Sequence, residues 1–404
     1  MKKNILLILF LPLLLNGCSS LKRLKTVTQG NTVQRDYIEE IPFEFIDNQI
    51  ILQVEINDKF YPFIFDTGND LTSIDLSLLD QIDYKSNNVN YTISDASNIA
   101  RINEYLSINK LSIGGIEFEN IGAQTTDFSH FKQVNACNHY VGIIGSNLMR
   151  KAKWEIDYQN KILKITDNIE NFIIPEDAIT FKTNSGNYGS ADIKISINEI
   201  EGKFTFDTGY SGFIHAGMEL FDRINATNKI NYKKRTGINS MNAHGFTTST
   251  IYKSRIEKIE VGNIKLSAQI VDFEDNRSKL LGNAFFKHFL ITLDWENEII
   301  YLQKRINFEK PEINTYQLIF YPNYSTNKIE TYAYWNDYDL ETPIELNSTF
   351  LSLNGIDVSN FETSELCDFW YNKKSDFMTS TINAKILDNG EIKQIQLYRK
   401  ELLP

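Results

Sequence analysis

Short stretches in which apolar and polar residues alternate dominate the chain, a period-two pattern that predicts strands with one buried face. Two stretches are versions of one another. Residues 50–68, IILQVEINDKFYPFIFDTG, and 191–209, ADIKISINEIEGKFTFDTG, share the alternation, and both close on Asp-Thr-Gly. Each has an Asn nine residues before the Asp (Asn57, Asn198) and a Phe directly before it, and the two copies lie 141 residues apart. Farther on, IIGSNLMRKAKWEIDYQNKIL (143–163) matches LLGNAFFKHFLITLDWENEII (280–300) at an offset of 137, and KLSIGGI (110–116) echoes KIEVGNI (258–264). An internal duplication therefore organises the middle of the chain. It predicts two β-rich lobes, 36–168 and 178–306, joined near NIENFIIPEDA (168–178), where Pro175 marks a break.

The two ends fall outside the duplication. Ile5–Leu15 is an apolar run of 11 residues behind two lysines, well short of the roughly 20 needed to span a bilayer. It predicts a signal peptide over 1–17. Residues 18–35 are polar, basic and without pattern, and predict a tether. At the other end, β-type runs (QLIFYPN, 317–323; KIETYAYW, 328–335) lead to a strand pair over 382–400. That pair turns at Asn389-Gly390, a strong hairpin signal.

Composition narrows the function classes. The 404 residues suffice for two or three domains, and 42% hydrophobic content rules out wholesale disorder. Lys and Arg total 41 against 52 Asp and Glu, a net charge of −11 that disfavours nucleic-acid binding. Three Cys and five His occur without zinc-ligand spacing, so no metal site and no cofactor are expected. Cys137 and Cys367 fall in different predicted domains, which favours two free thiols over a bridge. The charged run DFEDNRSK (272–279) reads as a solvated loop, and Trp154, Tyr158, Phe289 and Trp295 as core and rim packing.

A paired Asp-Thr-Gly has a chemical rationale. Hydrolysis without a metal or covalent nucleophile needs a water activated by one carboxylate while a second carboxyl protonates the substrate. Two carboxyls close enough to share a proton cannot both ionise, which makes one a base and the other an acid. Asp66 and Asp207 are the candidate pair. Gly68 and Gly209 would allow the close approach, and the Thr67 and Thr208 hydroxyls would bond across the lobe interface.

These blocks resemble the aspartic peptidases of the pepsin and retropepsin type, in particular retropepsin-like bacterial proteins with two DTG lobes in one chain. The resemblance covers roughly residues 40–305. It implies a mainly β, bilobal aspartic-protease fold built from two retropepsin-like β-barrel lobes. The family's hydrophobic-hydrophobic-Gly element falls on Ile143-Ile144-Gly145 and Leu280-Leu281-Gly282, and its flaps on the hairpins around 91–98 and 237–245. The family usually has Ser or Ala after the Gly, whereas this chain has Asn69 and Tyr210.

Leu-Asn-Gly before Cys18 resembles the lipobox of bacterial lipoproteins, which implies lipidation of Cys18 and a membrane anchor in the bacterial envelope. Ser19 favours the outer membrane. Residues 350–358, FLSLNGIDV, resemble the central block of a PDZ domain, implying a small α/β PDZ-like domain over 312–402. The expected activity is aspartic endopeptidase action on peptide or protein substrates. No obligate oligomer is expected, because both lobes share one chain. The rival reading is a catalytically silent peptide-binding lipoprotein that uses the same cleft.

Overall fold

A computed structural model describes residues 21–95, 97–134, 136–137, 140–183, 189–242, 245–275, 278–336 and 342–403. The signal peptide expected at 1–17 and the lipidation expected at Cys18 lie outside the described residues. The fold is mainly β and bilobal.

Each lobe opens with a hairpin that ends at its Asp-Thr-Gly. In the first, Gln49–Ile56 pairs antiparallel with Lys59–Phe65; in the second, Asp192–Ile197 pairs with Ile200–Phe206. The Asn repeated nine residues before each Asp makes the turn. Asn57 and Asp58 have φ of 52° and 58°, and Asn198 and Glu199 have 47° and 66°, the left-handed pair that two-residue hairpins need. Turn and Asp thus stand at opposite ends of one strand, so their spacing is fixed by strand length.

The lobes are fused along a six-stranded sheet. Lys153–Asp157 of the first lobe pairs antiparallel with Phe289–Asp294 of the second, from Trp154↔Leu293 to Asp157↔Leu290. Ile162–Thr166 and Ile38–Pro42 extend the sheet on one side, Ile299–Lys304 and Ile179–Lys182 on the other. Above it a continuous core runs through both lobes, with Trp154, Phe65, Phe206 and Phe286 fully buried. The aromatic residues of the duplicated strands are therefore packing, as their periodicity indicates.

Four features differ from the sequence reading. The tether expected over 18–35 is, from residue 21, part of the first lobe. Residues 21–28 are helical, Thr26 and Val27 are buried, and Asn31–Thr32 pairs with Phe118 and Glu119. The helix backbone lies so close to the sheet that a Cβ on Gly122 would collide with the Thr26 carbonyl.

Residues 272–274 are not a solvated loop. They end the strand Gln269–Glu274, where Asp272 pairs with Lys253 and the buried Glu274 lies 3.3 Å from His215. The Lys253 ammonium offsets the desolvation of the Asp272 carboxylate.

The expected boundary near 312 is not a break in the sheet. The C-terminal module has its own core around Phe350, Leu366, Phe377 and Ile386, a helix at Thr363–Asn372, and the expected hairpin of Thr381–Asp388 and Glu391–Tyr398. Its strand Lys328–Trp335, however, pairs with Tyr232–Asn242 of the second lobe through Arg235↔Trp335, Thr236↔Tyr334 and Gly237↔Ala333. Gly237 allows the junction. Its φ is +139°, and a Cβ there would run into the Tyr332 carbonyl.

Finally, Cys137 and Cys367 are joined in a disulfide with Cα atoms 5.7 Å apart, not left as two free thiols. The Tyr324 N–H donates to the Gln133 carbonyl at 2.7 Å, and Ala136 and Cys137 pack against the module core. The first-lobe segment before Ile143 therefore docks on the module and brings the two cysteines together. The module bridges both lobes, by sheet to one and by disulfide to the other.

Candidate active site

Asp66 and Asp207 leave the ends of their strands at the lobe interface, each held by the hydrophobic-hydrophobic-Gly element of its own lobe. Gly142–Ile144 lies parallel to Lys59–Phe65 with Ile143↔Ile64 and Ile144↔Phe65, and the Asp66 N–H donates to the Ile144 carbonyl at 3.0 Å. Leu280–Leu281 lies parallel to Ile200–Phe206, and the Asp207 N–H donates to the Leu281 carbonyl at 3.0 Å. Gly145 and Gly282 are small because backbone crosses them closely. A Cβ on Gly145 would fall 2.7 Å from the Thr72 nitrogen, and one on Gly282 would meet the Tyr210 carbonyl.

The two threonines lock the loops across the interface. Thr67 Oγ1 donates to the Phe206 carbonyl at 2.6 Å and accepts the Thr208 N–H at 3.0 Å. Thr208 Oγ1 donates to the Phe65 carbonyl at 2.7 Å and accepts the Thr67 N–H at 3.0 Å. Both side chains are fully buried, so no water competes for these bonds.

Each glycine makes room for the opposite carboxylate. A Cβ on Gly68 would sit 2.5 Å from Asp207 Oδ1, and one on Gly209 would lie under 3.0 Å from the Asp66 carboxyl atoms. Asp66 Oδ1 accepts the Gly68 N–H at 2.8 Å, and Asp207 Oδ1 accepts those of Gly209 at 2.8 Å and Tyr210 at 3.0 Å. Burial pushes the Asp66 pKa well above the ordinary carboxylate value. The Asp207 charge and a hydrogen bond to its carboxyl push it further. Two carboxyls that interact this strongly titrate as a pair and not as separate groups.

The carboxyls form the floor of a cavity of about 650 Å³ between the lobes. Ile64, Phe131, Tyr140 and Ile143 line it from the first lobe, Met241 and Phe246 from the second, and Tyr321 and Tyr332 from the module. Burial, then the Asp66 charge, raises the pKa of the Tyr140 hydroxyl well above its ordinary value. Overhead stand two hairpins, Tyr84–Ser94 with Ala100–Ile113 and Tyr232–Asn242 with Gly245–Ile256, where the flaps are expected. They touch through Thr247 Oγ1 and Ser97 Oγ at 2.9 Å. Ala96, Ala243 and His244 of the expected flaps lie outside the described residues.

Several contributors escaped the sequence reading. Ser190 Oγ donates to the Gly68 carbonyl and to Asp70 Oδ1, both at 2.9 Å. Gln49 Nε2 donates to the Gly209 carbonyl at 3.2 Å, and Asn48 Nδ2 to that of Ser211 at 3.1 Å, so the first lobe steadies the second lobe's loop. Asn147 Oδ1 accepts the Thr72 N–H at 2.7 Å, and Asn283 Nδ2 bonds the Thr208 and Asn48 carbonyls. The signal that could have found them is an Asn two residues after Gly145 and one directly after Gly282. Asn69, after the first Gly, donates its amide to the Leu71 carbonyl and Ser73 Oγ. Tyr210 packs its ring against Gly212 and lies 6.0 Å from the His215 ring. Among the described residues no group of His, Cys, Asp and Glu has metal-site geometry.

The family model described as Aspartyl protease matches residues 52–148, which hold the first Asp-Thr-Gly and its bracing Gly145. That stretch is similar to a retropepsin-like aspartyl protease domain. The match supports a peptidase-like function. No curated protein matches the chain.

Proposed function

We propose that the protein is an aspartic-type endopeptidase of the cell envelope in which Asp66 and Asp207 act as one catalytic pair. The observation that carries the reading is the pairing of the two carboxyls through symmetric loops, with the Asp66 pKa raised by burial and by the Asp207 charge. The ionised member takes a proton from a water bound between the carboxyls, and that water attacks the scissile carbonyl. The protonated member donates to the carbonyl oxygen. As the C–N bond breaks, the proton taken from water goes to the leaving nitrogen and the second carboxylate takes a proton back from the gem-diol. The hairpins overhead would exclude solvent while a peptide lies extended in the cleft. One chain supplies both carboxyls, so a monomer suffices.

Lipidation of Cys18 would hold the enzyme at the outer membrane, and the PDZ-like module would present protein substrates. The silent, peptide-binding alternative draws support from Asn69, whose side-chain amide bonds Leu71 and Ser73, leaving only its backbone N–H to Asp66. One assay separates the readings: cleavage of a peptide library by the wild type, Asp66→Asn and Asp207→Asn. Cleavage lost in both variants supports the pair, equal cleavage by all three sinks it, and binding without cleavage by the wild type selects the alternative. Membrane fractionation of Cys18→Ala, with palmitate labelling, tests the anchor.

A further inference from the structure

The cleft has a charge pattern that the hydrolytic reading does not require. Besides Asp66 and Asp207, three carboxylates line it: Asp47, Asp70 and Asp95. No Lys or Arg is among the described lining residues. Low-dielectric walls concentrate such a field within the cavity.

The three carboxylates come from separate loops. Asp95 closes the tip of the first-lobe hairpin, where its Oδ1 accepts the N–H groups of Ser97 and Ile99. Asp70 stands just beyond the first Asp-Thr-Gly and accepts Ser190 Oγ. Asp47 sits in a turn at φ 49°, held over the second lobe by the neighbouring Asn48 and Gln49 amides. Three separate loops therefore contribute acidic groups to one cavity.

The module adds an aromatic surface at the Asp47 end. Tyr321 lies in the strand Leu318–Asn323, is 47% exposed and lines the cavity. Tyr332 meets it edge-on at 5.9 Å, and the Trp370 ring lies tilted against it at 5.7 Å. Asp47 and Tyr321 line the same cavity; burial pushes the Tyr321 hydroxyl pKa up, the Arg235 charge pulls it down and the Asp47 charge pushes it up. The Arg235 guanidinium is itself occupied, over the Trp335 ring at 5.5 Å and with Nε on Asn239 Oδ1 at 2.7 Å. An aromatic face beside a carboxylate is a site for a cationic side chain, which stacks on the ring and pairs with the acid.

Building on the peptidase reading, we propose that the cleft selects basic peptides, with Tyr321 and Asp47 as specificity-determining residues for an Arg or Lys side chain flanking the scissile bond. The C-terminal module is then a wall of the substrate site. Each exposed ion pair or cation–ring contact is worth up to about fivefold in affinity.

The test compares peptides that differ only in carrying Arg, Gln or Glu at flanking positions, measured as kcat/KM for cleavage and as Kd for binding to the full-length Asp66→Asn protein. The wild type should favour Arg over Glu by about tenfold or more, through KM and less so at high salt. Asp47→Asn and Tyr321→Ala should each reduce that ratio by about threefold to fivefold, with Tyr321→Phe retaining it. Equal handling of Arg, Gln and Glu peptides, or a ratio untouched by both substitutions, overturns the proposal. If the wild type cleaves nothing, the hydrolytic reading fails. The binding arm then still decides the subsite: Asp47-dependent preference for Arg upholds it, and indifference to charge refutes it.

Discussion

Replacing Thr208 with Val keeps the side-chain volume and removes one hydroxyl from the lobe interface. That hydroxyl accepts the Thr67 N–H and donates to the Phe65 carbonyl, and it is fully buried. Its loss leaves a buried N–H without a partner, at about 1–3 kcal/mol, and removes one neutral hydrogen bond worth about 1 kcal/mol. The expected cost is thus about 2–4 kcal/mol. Thr208→Ser keeps both bonds and loses a methyl group, about 1 kcal/mol. Two fused lobes need not melt as one unit, so global unfolding is a blunt measure. Hydrogen exchange read by mass spectrometry on segments holding Thr67 and Thr208 reports the interface directly. In Thr208→Val those amides should exchange about thirtyfold to a thousandfold faster than in wild type, given 1.4 kcal/mol per tenfold. By symmetry Thr67→Val should do the same. If Val and Ser variants exchange alike, packing and not the crossed hydroxyls holds the loops, and the reasoning fails.

Asp66→Asn should raise thermal stability at neutral pH. The folded-state pKa lies above the unfolded one, so ionisation opposes folding once pH exceeds the ordinary carboxylate value, and the gain should vanish in acid where both states are protonated. Melting curves across pH test this, and a pH-independent gain contradicts it. Gly209→Ala places a methyl group against the Asp66 carboxyl and should cost about 1–3 kcal/mol while abolishing peptide cleavage; an active, fully stable variant refutes the close approach. Gly237→Ala should strain a backbone at φ +139° by about 1–3 kcal/mol and speed exchange in Lys328–Trp335. No change there would mean that the sheet junction tolerates a side chain.

The lobes were legible because duplication writes the same local physics twice. Asn57 and Asn198 mark the turns, the alternating strands end at Asp, and each Gly sits where backbone or carboxylate leaves no room. Asn389-Gly390 announced its hairpin for the same local reason. What stayed hidden depends on contacts distant in sequence. Nothing local distinguishes a strand that joins a neighbouring lobe from one that ends a module, so Lys328–Trp335 read as separate. Charge alone placed 272–274 in solvent, because Lys253 and His215 approach only in the folded lobe. The polar composition of residues 21–35 concealed a helix whose backbone packs on Gly122.

The Cys137–Cys367 bridge carries a consequence for biosynthesis. Its cysteines stand 230 residues apart. A chain made from its N-terminus exposes the first thiol long before the second exists, so the bridge can close only after most of the C-terminal module has been synthesised. Its closure thus marks a nearly finished molecule, and a product truncated before Cys367 carries Cys137 as an unpaired thiol open to mixed disulfides.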